Sequence, residues 1–347
     1  MIRNHVGLLE QLRAIHAAIR DAVLSACEQT AIEQLATPVG EQGGDTIFAI
    51  DRVSEHVLLQ HFTSLTEIWP CVLIAEGLGS TGQTVLPAGT DPDQAELRII
   101  VDPIDGTRGL MYQKRSAWIL TGVARNRGAS TGLADIELAV QTEIPLLKQH
   151  LCDSFWSIAG QGVQGERLNR LSGERQTLTP RPSREPTLAQ GFGGVARFFP
   201  GGRSLLAAVD DAVVERTVGP FQTGRALAFE DQYVSTGGQL YELLMGHDRW
   251  IADLRPLIEP VLREQGQALG LCCHPYDLCT ELIAREAGVL VTDVYGGALT
   301  APLDVSTDVA WIGFANPAIR DQVTAVLPAI LGEYGLISPG GSNGVAR

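Results

Sequence analysis

Hydrophobic spacing in the N-terminal part of the chain is mostly helical. Apolar residues recur every three or four positions and predict a long amphipathic helix over residues 7–35. The proline and glycines of residues 37–44 then predict a flexible loop. A second helix is expected over residues 51–62.

Continuous apolar runs replace the helical spacing in the next part of the chain. The runs 71–75 and 97–101 predict two buried strands, and the polar stretch 79–93 predicts a surface loop between them. A short helix is expected over residues 108–112. Four further strands, in an antiparallel meander, are predicted at 117–124, 134–142, 154–159 and 162–168.

A polar, proline-rich stretch over residues 172–186 predicts a boundary between two lobes, 1–178 and 179–337. The Gly- and Ser-rich tail 338–347 is expected to be flexible. In the second lobe, the pattern predicts strands at 188–192, 249–253, 289–292 and 309–314, and helices at 204–215, 254–269, 277–287 and 317–334, with another helix ending near residue 244.

The hexapeptide 102–107, Asp-Pro-Ile-Asp-Gly-Thr, stands where a predicted buried strand ends. Ligand sites in open α/β sheets form at strand ends of this kind. The carboxylates of Asp102 and Asp105 and the carbonyl of Ile104 would offer an all-oxygen set, which suits a hard cation such as Mg²⁺ and not zinc. The alternative is an ordinary turn, because Asp-Pro and Asp-Gly are common turn dipeptides.

Acids elsewhere in the chain favour the site over the turn. Glu76 ends the other predicted buried strand, Asp51 begins the predicted helix 51–62 with Asp45 shortly before it, and Asp277 opens another helix. Taken singly, Asp51 and Asp277 have an ordinary role as helix N-caps, and Glu76 as a solvated acid at a strand end.

These elements, in this order and spacing, resemble the inositol monophosphatase and fructose bisphosphatase superfamily of metal-dependent, lithium-sensitive phosphatases. The resemblance covers nearly the whole chain and implies an α/β (α+β) fold, a layered αβαβα sandwich. It also implies Mg²⁺-dependent hydrolysis of a small phosphorylated polyol or sugar. The alternatives are an adenosine 3′,5′-bisphosphate phosphatase and a non-catalytic phosphometabolite-binding protein.

The resemblance further implies which residues hold two or three Mg²⁺ ions. Glu76, Asp102 and the Ile104 carbonyl would hold the first ion. Asp102, Asp105 and Asp277 would hold the second, with Asp102 shared between the two ions, as a two-metal phosphatase requires.

The resemblance also assigns roles in the reaction. Glu76 and Thr107 would position and deprotonate the attacking water, and Asp51 would orient the Thr107 hydroxyl. The amides of Gly106 and Thr107 would bind phosphate oxygens. The substrate-binding set that the resemblance implies is Asp105, Gly106, Thr107 and Asp277.

The sequence departs from the pattern of the superfamily in several places. The loop 37–44 lacks the usual lysine and carries Glu41 as its only charge, while Gly77 replaces the second acid of an acidic pair. Tyr276 stands where a tryptophan is usual, and an insertion over 254–274 precedes it. These departures bear on a third ion and on the substrate pocket.

Composition narrows the choice of partners. The net charge of −14 argues against a protein that holds nucleic acid, because phosphate backbones require a basic surface. A small phosphorylated metabolite remains compatible with this charge, since bound cations invert the local field. No apolar run reaches about 18 residues, so no membrane span is expected. The oligomeric state stays open, with a homodimer as one expectation.

Six cysteines in 347 residues do not resemble a disulfide framework, and the N-terminus has no signal-peptide pattern, so the cytoplasm is the expected compartment. Cys272, Cys273, His274 and Cys279 lie close in sequence, but their spacing fits no regular zinc pattern. Buried or incidental thiols are the favoured interpretation.

Overall fold

The computed structural model describes residues 2–30, 32–42, 45–78 and 81–337. Helices and two sheets alternate in five layers, so the αβαβα sandwich of the α+β class is confirmed. The described helices are α1 His5–Gln29, α2 Ile32–Leu35, α3 Ala49–Thr66, α4 Thr107–Met111, α5 Arg203–Val218, α6 Thr236–Met245, α7 Glu259–Glu264, α8 Pro275–Leu278, α9 Glu281–Glu286, α10 Pro317–Thr324 and α11 Leu327–Glu333. The described strands are β1 Pro38–Gln42, β2 Asp45–Phe48, β3 Cys71–Ala75, β4 Gln83–Leu86, β5 Leu97–Asp105, β6 Ala117–Arg125, β7 Ile136–Ile144, β8 Leu151–Ile158, β9 Val163–Asn169, β10 Arg175–Thr177, β11 Phe192–Val195, β12 Asp248–Asp253, β13 Leu290–Thr292 and β14 Trp311–Phe314.

The larger sheet has the order β10-β9-β8-β7-β6-β5-β3-β4 among the described strands. Neighbouring strands are antiparallel except β3 and β5, which run parallel. Because successive side chains of a strand point to opposite faces, Ile99 joins the core beneath α1 and α3, while Ile100 joins the core on the other side. Both faces of this sheet are therefore buried, which explains why its central strands are continuous apolar runs.

The smaller sheet has the order β11-β12-β14-β13 in the described chain. Helices α6, α8 and α9 contribute to the core between the two sheets. Helices α5, α10 and α11 pack on the far face of the smaller sheet, around Trp250 and Phe314. The carboxyl ends of β3 and β5 line one cleft together with residues of α6 and α8.

Several predicted elements are confirmed in place. The predicted strand over 71–75 is β3, and the predicted meander is β6 to β9, with antiparallel pairing throughout. The predicted boundary at residue 178 falls between β10, in the larger sheet, and β11, in the smaller one. The division into two lobes stays a prediction, and the predicted tail 338–347 lies outside the described residues.

The prediction of loops is wrong in two segments. In 37–44, β1 pairs antiparallel with β2, so the described part is extended structure held by backbone hydrogen bonds. In 79–93, β4 pairs with β3. Residues 43, 44, 79 and 80 and the side chain of Glu41 lie outside the described part. The sequence pattern reports only the local preference of glycine for turns. Pairing with a neighbouring strand overrides that preference and makes these segments extended.

The prediction of a strand over 188–192 is also wrong, because β11 begins at Phe192. The pattern failed because β11 contains two glycines, which are rare in strands. A side chain at Gly193 would place its Cβ 2.5 Å from the Trp250 ring of β12, so the close approach of the two strands requires glycine here.

Four predicted helices are shorter than expected or divided. The first ends at Gln29 and is followed by α2, and the predicted helix 317–334 is α10 and α11. The prolines of 254–269 leave only a 3₁₀ turn and α7. The predicted helix 277–287 is α8 and α9, because the chain turns between them.

His16 joins α1 to the sheet through a buried polar contact. Its side chain is 1% exposed, with Nδ1 3.0 Å from Thr142 Oγ1 and Nε2 2.8 Å from Thr121 Oγ1. Burial, assisted by the nearby Arg20 charge, lowers the pKa of His16 to about 3. The imidazole therefore stays neutral in the native protein over most of the acidic range.

The difference between the native and the unfolded pKa of His16 predicts that the effect of His16→Gln on stability depends on pH. The unfolded imidazole takes up a proton below its ordinary pKa of about 6.5, whereas the native one does so only near 3. The contribution of the His16 imidazole to the free energy of unfolding is therefore full above about pH 6.5 and is lost as pH falls toward 3. Urea unfolding should show His16→Gln destabilising by about 1–3 kcal/mol at pH 8 and by less at pH 5. The control is His61→Gln at an exposed position; an equal loss for His16→Gln at both pH values would contradict the account.

Candidate metal centre

A β-bulge in β5 brings Asp102 and Asp105 to the same side of the sheet. Residues three apart in a regular strand point to opposite faces. Here Asp102 pairs with Leu120 of β6 and Asp105 with Trp118, so β5 has one residue more than β6 over this interval. The extra residue reverses the alternation and turns both carboxylates toward the middle helical layer. Pro103, which cannot donate to the sheet ladder, lies inside the bulge.

Helix α8 supplies the third carboxylate. Single oxygens of Asp102, Asp105 and Asp277 all lie within 4.8 Å of one another. Asp102 and Asp105 are each 5% exposed, and Asp277 is partly buried. The structure thus brings together three of the acids that the sequence analysis singled out, from positions far apart in the chain.

Backbone amides hold one oxygen of each carboxylate. Asp102 Oδ1 accepts from Ile104 N at 3.0 Å, and Asp277 Oδ2 accepts from His274 N at 2.6 Å. Asp105 Oδ2 accepts from Gly237 N at 2.6 Å and from Ser235 Oγ at 2.8 Å. These bonds fix the side chains and leave further carboxylate lone pairs toward the shared space.

The contact between Asp105 and the start of α6 is a part of the site that the sequence analysis missed. Ser235 is the N-cap of α6 and accepts from Gly238 N at 2.9 Å while its hydroxyl donates to Asp105. A Cβ at Gly237 would lie 2.9 Å from Asp105 Oδ2, and one at Gly238 would lie 2.4 Å from the Tyr233 ring. The sequence signal that could have found this contact is Ser-Thr-Gly-Gly before an apolar run. The Ser is a common N-cap, and the glycines let another group come close to the backbone.

Burial and mutual repulsion keep these acids from ionising in the ordinary range. Burial raises the pKa of Asp102 well above its usual value, and the charges of Asp105, Asp277 and Glu76 add to the effect. Burial likewise raises the pKa of Asp277, with Asp105 as the next cause. The pKa of Asp105 rises only to about 6, because the donors from Ser235 and α6 oppose its desolvation.

Asp51 and Thr107 meet beside the acids although 56 residues separate them. Thr107 Oγ1 lies 3.0 Å from Asp51 Oδ1 and 2.8 Å from the carbonyl of Ile104. The other oxygen, Asp51 Oδ2, accepts from Phe48 N at 2.8 Å. The hydroxyl has one hydrogen, so it donates to one of these acceptors at a time.

The N-cap alternative is wrong for both Asp51 and Asp277. Phe48 and His274 are the N-caps of α3 and α8, and each acid is the third residue inside its helix. Each binds the N-cap amide with one oxygen, which satisfies a free donor of the helix end. Asp51 still has an oxygen for Thr107, and Asp277 has one for the acid cluster.

The three acids form one end of a cleft that is open to solvent. Glu76, Ile104 and Thr107 line this end too, and Gly106 adopts φ +93° at the start of α4, a conformation that favours glycine. Glu76 follows β3 next to Asp102 because Ala75 pairs with Val101. All the predicted site residues therefore line this cleft or contact a residue that does.

The donor set of the cluster fits a divalent hard cation. Buried carboxylates that repel one another are relieved either by protons or by a bound cation. Carboxylate and carbonyl oxygens are ligands that Mg²⁺ prefers. Asp102, Asp105 and Asp277 would provide the core of such a site, with Glu76 and the Ile104 carbonyl at its edge.

The cysteines near the cleft are free thiols. All six lie in the described chain, and none is in a disulfide. Burial raises the pKa of Cys272 to about 12 and that of Cys273 well above its usual value, so both stay protonated. Among the described helices, none combines the length and apolar character that crossing a bilayer requires.

Comparisons with known proteins identify the fold. No protein-family model and no curated protein matches the sequence. Among solved structures, fructose-1,6-bisphosphatase of Leishmania major has a TM-score of 0.66 at 14% identity, and the alignment covers 95% of each chain. The extragenic suppressor protein SuhB of Bartonella henselae has a TM-score of 0.63 at 14% identity, over 92% of this chain and 98% of that one.

A third solved structure is the MJ0109 gene product, described as an inositol monophosphatase and fructose-1,6-bisphosphatase. It has a TM-score of 0.61 at 16% identity, over 94% of this chain and the whole of that one. The resemblance seen in the sequence is therefore confirmed for the fold, which this chain shares with solved structures described as a fructose-1,6-bisphosphatase and as an inositol monophosphatase.

Gly237→Ala tests the contact between α6 and Asp105. The added Cβ would lie 2.6 Å from Leu120 and 2.9 Å from Asp105 Oδ2, so one of them must move. We expect a loss of about 1–3 kcal/mol in stability and a smaller rise in melting temperature on adding Mg²⁺. The control is Gly332→Ala in α11, where a Cβ meets open space. If Mg²⁺ raised the melting temperature of Gly237→Ala as much as that of wild type, the role of the start of α6 in positioning Asp105 would be contradicted.

Proposed function

We propose that this protein is a Mg²⁺-dependent phosphomonoesterase that hydrolyses a small phosphorylated metabolite. The observation that carries the proposal is the convergence of Asp102, Asp105 and Asp277 within 4.8 Å at one end of a cleft. The Thr107–Asp51 hydrogen bond beside them adds a group that can orient water. The fold agrees, because two of the similar structures are described as phosphatases.

The proposal assigns the cation to the acids of the cleft. Asp102, Asp105 and Asp277 would hold Mg²⁺, with Glu76 and the Ile104 carbonyl completing a site for a further ion. A bound divalent cation would supply charge that neutralises phosphate oxygens and lowers the pKa of a bound water. The number of ions, two or three, stays a prediction.

Thr107 and Asp51 would place the attacking water. When the Thr107 hydroxyl donates its only hydrogen to Asp51 Oδ1, its lone pairs are left to accept from a water in the cleft. The Phe48 amide donates a hydrogen bond to Asp51, so the Thr107 hydroxyl has an acceptor in a fixed position. Glu76, which lines the same cleft, is the candidate to accept the proton of that water.

The chain offers phosphate a second set of contacts at the start of α4. The amides of Gly106 and Thr107 are proposed to bind phosphate oxygens, since the first amides of a helix have no partner within it. Gly106 brings this turn within reach of Ser235, because a Cβ there would lie 3.0 Å from Ser235 Cβ. Asp105 and Asp277 border the same space.

A non-catalytic phosphometabolite-binding protein is the rival from another class. The chain has all five candidate carboxylates, namely Asp51, Glu76, Asp102, Asp105 and Asp277, whereas a decayed site should have lost at least one of them. The geometry also keeps the Thr107–Asp51 contact, which binding alone would not need. We therefore favour catalysis. A cytoplasmic location and a homodimeric state are expectations that accompany the proposal.

Phosphate release from a panel of phosphomonoesters, measured with and without Mg²⁺, tests the proposal. The panel should include polyol phosphates, sugar phosphates and nucleotides. We expect release from at least one class and none without a divalent cation. Binding of a panel member with no release under any metal condition would favour the rival, and indifference to Mg²⁺ would refute the metal assignment.

Asp105→Asn should lower turnover by about 100-fold or more, because it removes a charge from the cation site and adds no bulk. The fold should persist, since an amide still accepts from Ser235 and Gly237. Mg²⁺ should raise the melting temperature of wild type, as a ligand of the native state does, and should do so less for the variant. Asp211→Asn, at an exposed position, is the control. Retained turnover in Asp105→Asn would contradict its assignment as a ligand.

Thr107→Ala and Asp51→Asn should act on the same step. Groups that work as a unit give non-additive effects, so the double variant should be scarcely slower than the slower single variant. Each single change should lower kcat by about 100-fold. Thr63→Ala, an exposed position elsewhere on α3, is the control. Full multiplication of the two effects would show that Asp51 only holds the Phe48 amide at the start of α3.

A further inference from the structure

Gln141 is a polar residue of β7 whose side chain lies inside the protein, 1% exposed. It pairs with Leu120 of β6 and Phe155 of β8, both of which belong to the core between the two sheets. Residues directly opposite each other on neighbouring strands share a face of the sheet. The side chain of Gln141 therefore points into the layer that contains α6, α8 and α9.

Each end of the Gln141 amide has a buried hydrogen-bond partner. Nε2 donates to the carbonyl of Gly237 at 2.8 Å, and Oε1 accepts from Thr280 Oγ1 at 3.0 Å. The chemistry of the partners sets this orientation, because a backbone carbonyl only accepts and must face the NH₂ group. Oε1 carries no hydrogen, so the Thr280 hydroxyl is the donor in the second bond.

Both partners of Gln141 lie next to acids of the cleft. The Gly237 amide donates to Asp105 Oδ2 at 2.6 Å. Thr280 lies between α8 and α9, three residues after Asp277. The three hydrogen bonds form one chain, which begins at Asp105 and ends beside Asp277. One side chain of β7 thus joins the start of α6 to the end of α8.

The turn between α8 and α9 is fitted closely to the sheet. A Cβ at Gly122 of β6 would lie 2.6 Å from the carbonyl oxygen of Cys279, so a side chain there would push the turn away. Thr280 is the N-cap of α9, yet its side chain makes no capping hydrogen bond. The hydroxyl donates to Gln141 instead, which ties the turn to β7 rather than to its own helix.

The spacing between Asp105 and Asp277 depends on how α6 and α8 are placed. The two acids repel each other when ionised, whereas Mg²⁺ requires its oxygen ligands at about 2.0–2.1 Å in near-octahedral geometry. We propose, on the basis of the proposed metal centre, that Gln141 is a positioning residue that holds Asp105 and Asp277 at the spacing a hard cation needs. It acts through Gly237 and Thr280 and contacts neither cation nor substrate.

Gln141→Met tests this role because methionine keeps the length and bulk of the side chain and removes both hydrogen bonds. Calorimetry on the full-length protein, without substrate, measures the dissociation constant of Mg²⁺. We expect binding about tenfold weaker than in wild type, at the lower end of what loss of an outer partner of metal ligands costs. A melting curve verifies that the variant is folded.

Thr142→Val is the matched control for general destabilisation. Thr142 is the next residue of β7, is 3% exposed, and has Oγ1 3.0 Å from His16 Nδ1 on the opposite face of the sheet. Valine has the same shape and also removes a buried hydrogen bond, so stability should fall while Mg²⁺ binding stays at the wild-type value. Equal losses of Mg²⁺ affinity in Thr142→Val and Gln141→Met would overturn the inference.

Two changes at Thr280 examine the other end of the hydrogen-bond chain. Thr280→Val removes the hydroxyl and should weaken Mg²⁺ binding about fivefold, as expected for one buried hydrogen bond. Thr280→Ser keeps the hydroxyl and should bind Mg²⁺ as wild type does. Equal affinities of the two variants would overturn the inference, and this comparison remains decisive if Gln141→Met does not fold.

The outcomes distinguish this inference from the proposed function. Wild type that binds Mg²⁺ with an affinity that Gln141→Met leaves unchanged would overturn the positioning role and keep the metal centre. Absence of Mg²⁺ binding to wild type would refute both. Phosphate release, measured in parallel against Mg²⁺ concentration, should need more Mg²⁺ in Gln141→Met for half of its maximal rate. A lower maximal rate with unchanged Mg²⁺ affinity would contradict the inference, because it would place Gln141 in the chemical step.

Discussion

The repulsion among three acids in one small space is the constraint on which the site depends. Asp102 and Asp105 are buried, Asp277 is partly buried, and an oxygen of each lies within 4.8 Å of the others. Burial raises the pKa of each acid, and neighbouring charges add to the shift for Asp102 and Asp277, so the ionised cluster is unfavourable without positive charge nearby. A bound divalent cation would supply that charge, as the proposed function requires.

The scaffold holds the acids together against this repulsion through elements that surround them. The bulge in β5 turns Asp105 to the side of Asp102, and the start of α6 holds Asp105 by two donors. The start of α8 holds Asp277 in the same manner, by the His274 amide. The middle helical layer therefore does more than cover the sheet, because its helix ends fix the carboxylates whose distances decide the chemistry.

Features of the site that lie within one short segment of the chain could be predicted from the sequence, and contacts between distant segments could not. Asp102 and Asp105 were visible because the turn-like hexapeptide keeps both acids within one short segment. The meeting of Asp51 with Thr107 came only from the resemblance, since nothing local relates residues 56 apart. The hydrogen bonds from the start of α6 to Asp105 were not predicted, because every residue other than proline has a backbone amide and the one at Gly237 gives no distinctive sequence pattern. Arg255 donates to Asp253 at the end of β12, and both side chains are buried. The sequence did not predict this buried pair, because opposite charges close together in a sequence are usually solvated.

The fold was predictable to a similar degree. Continuous apolar runs located β3 and the meander, because both faces of the larger sheet are buried. The β1–β2 hairpin and β11 were missed, since their glycines and prolines predict loops and only pairing with other strands makes them extended. The layered architecture itself was predicted through the resemblance, and the structure confirms it.

The most direct test of the central claim is a crystal structure of the wild-type protein grown with Mn²⁺, in which anomalous scattering locates the cation. Mn²⁺ takes the same oxygen ligands as Mg²⁺ and can be identified without ambiguity. The account predicts a strong anomalous peak in contact with oxygens of Asp102, Asp105 and Asp277. Full-occupancy peaks elsewhere and none among these three carboxylates would contradict it.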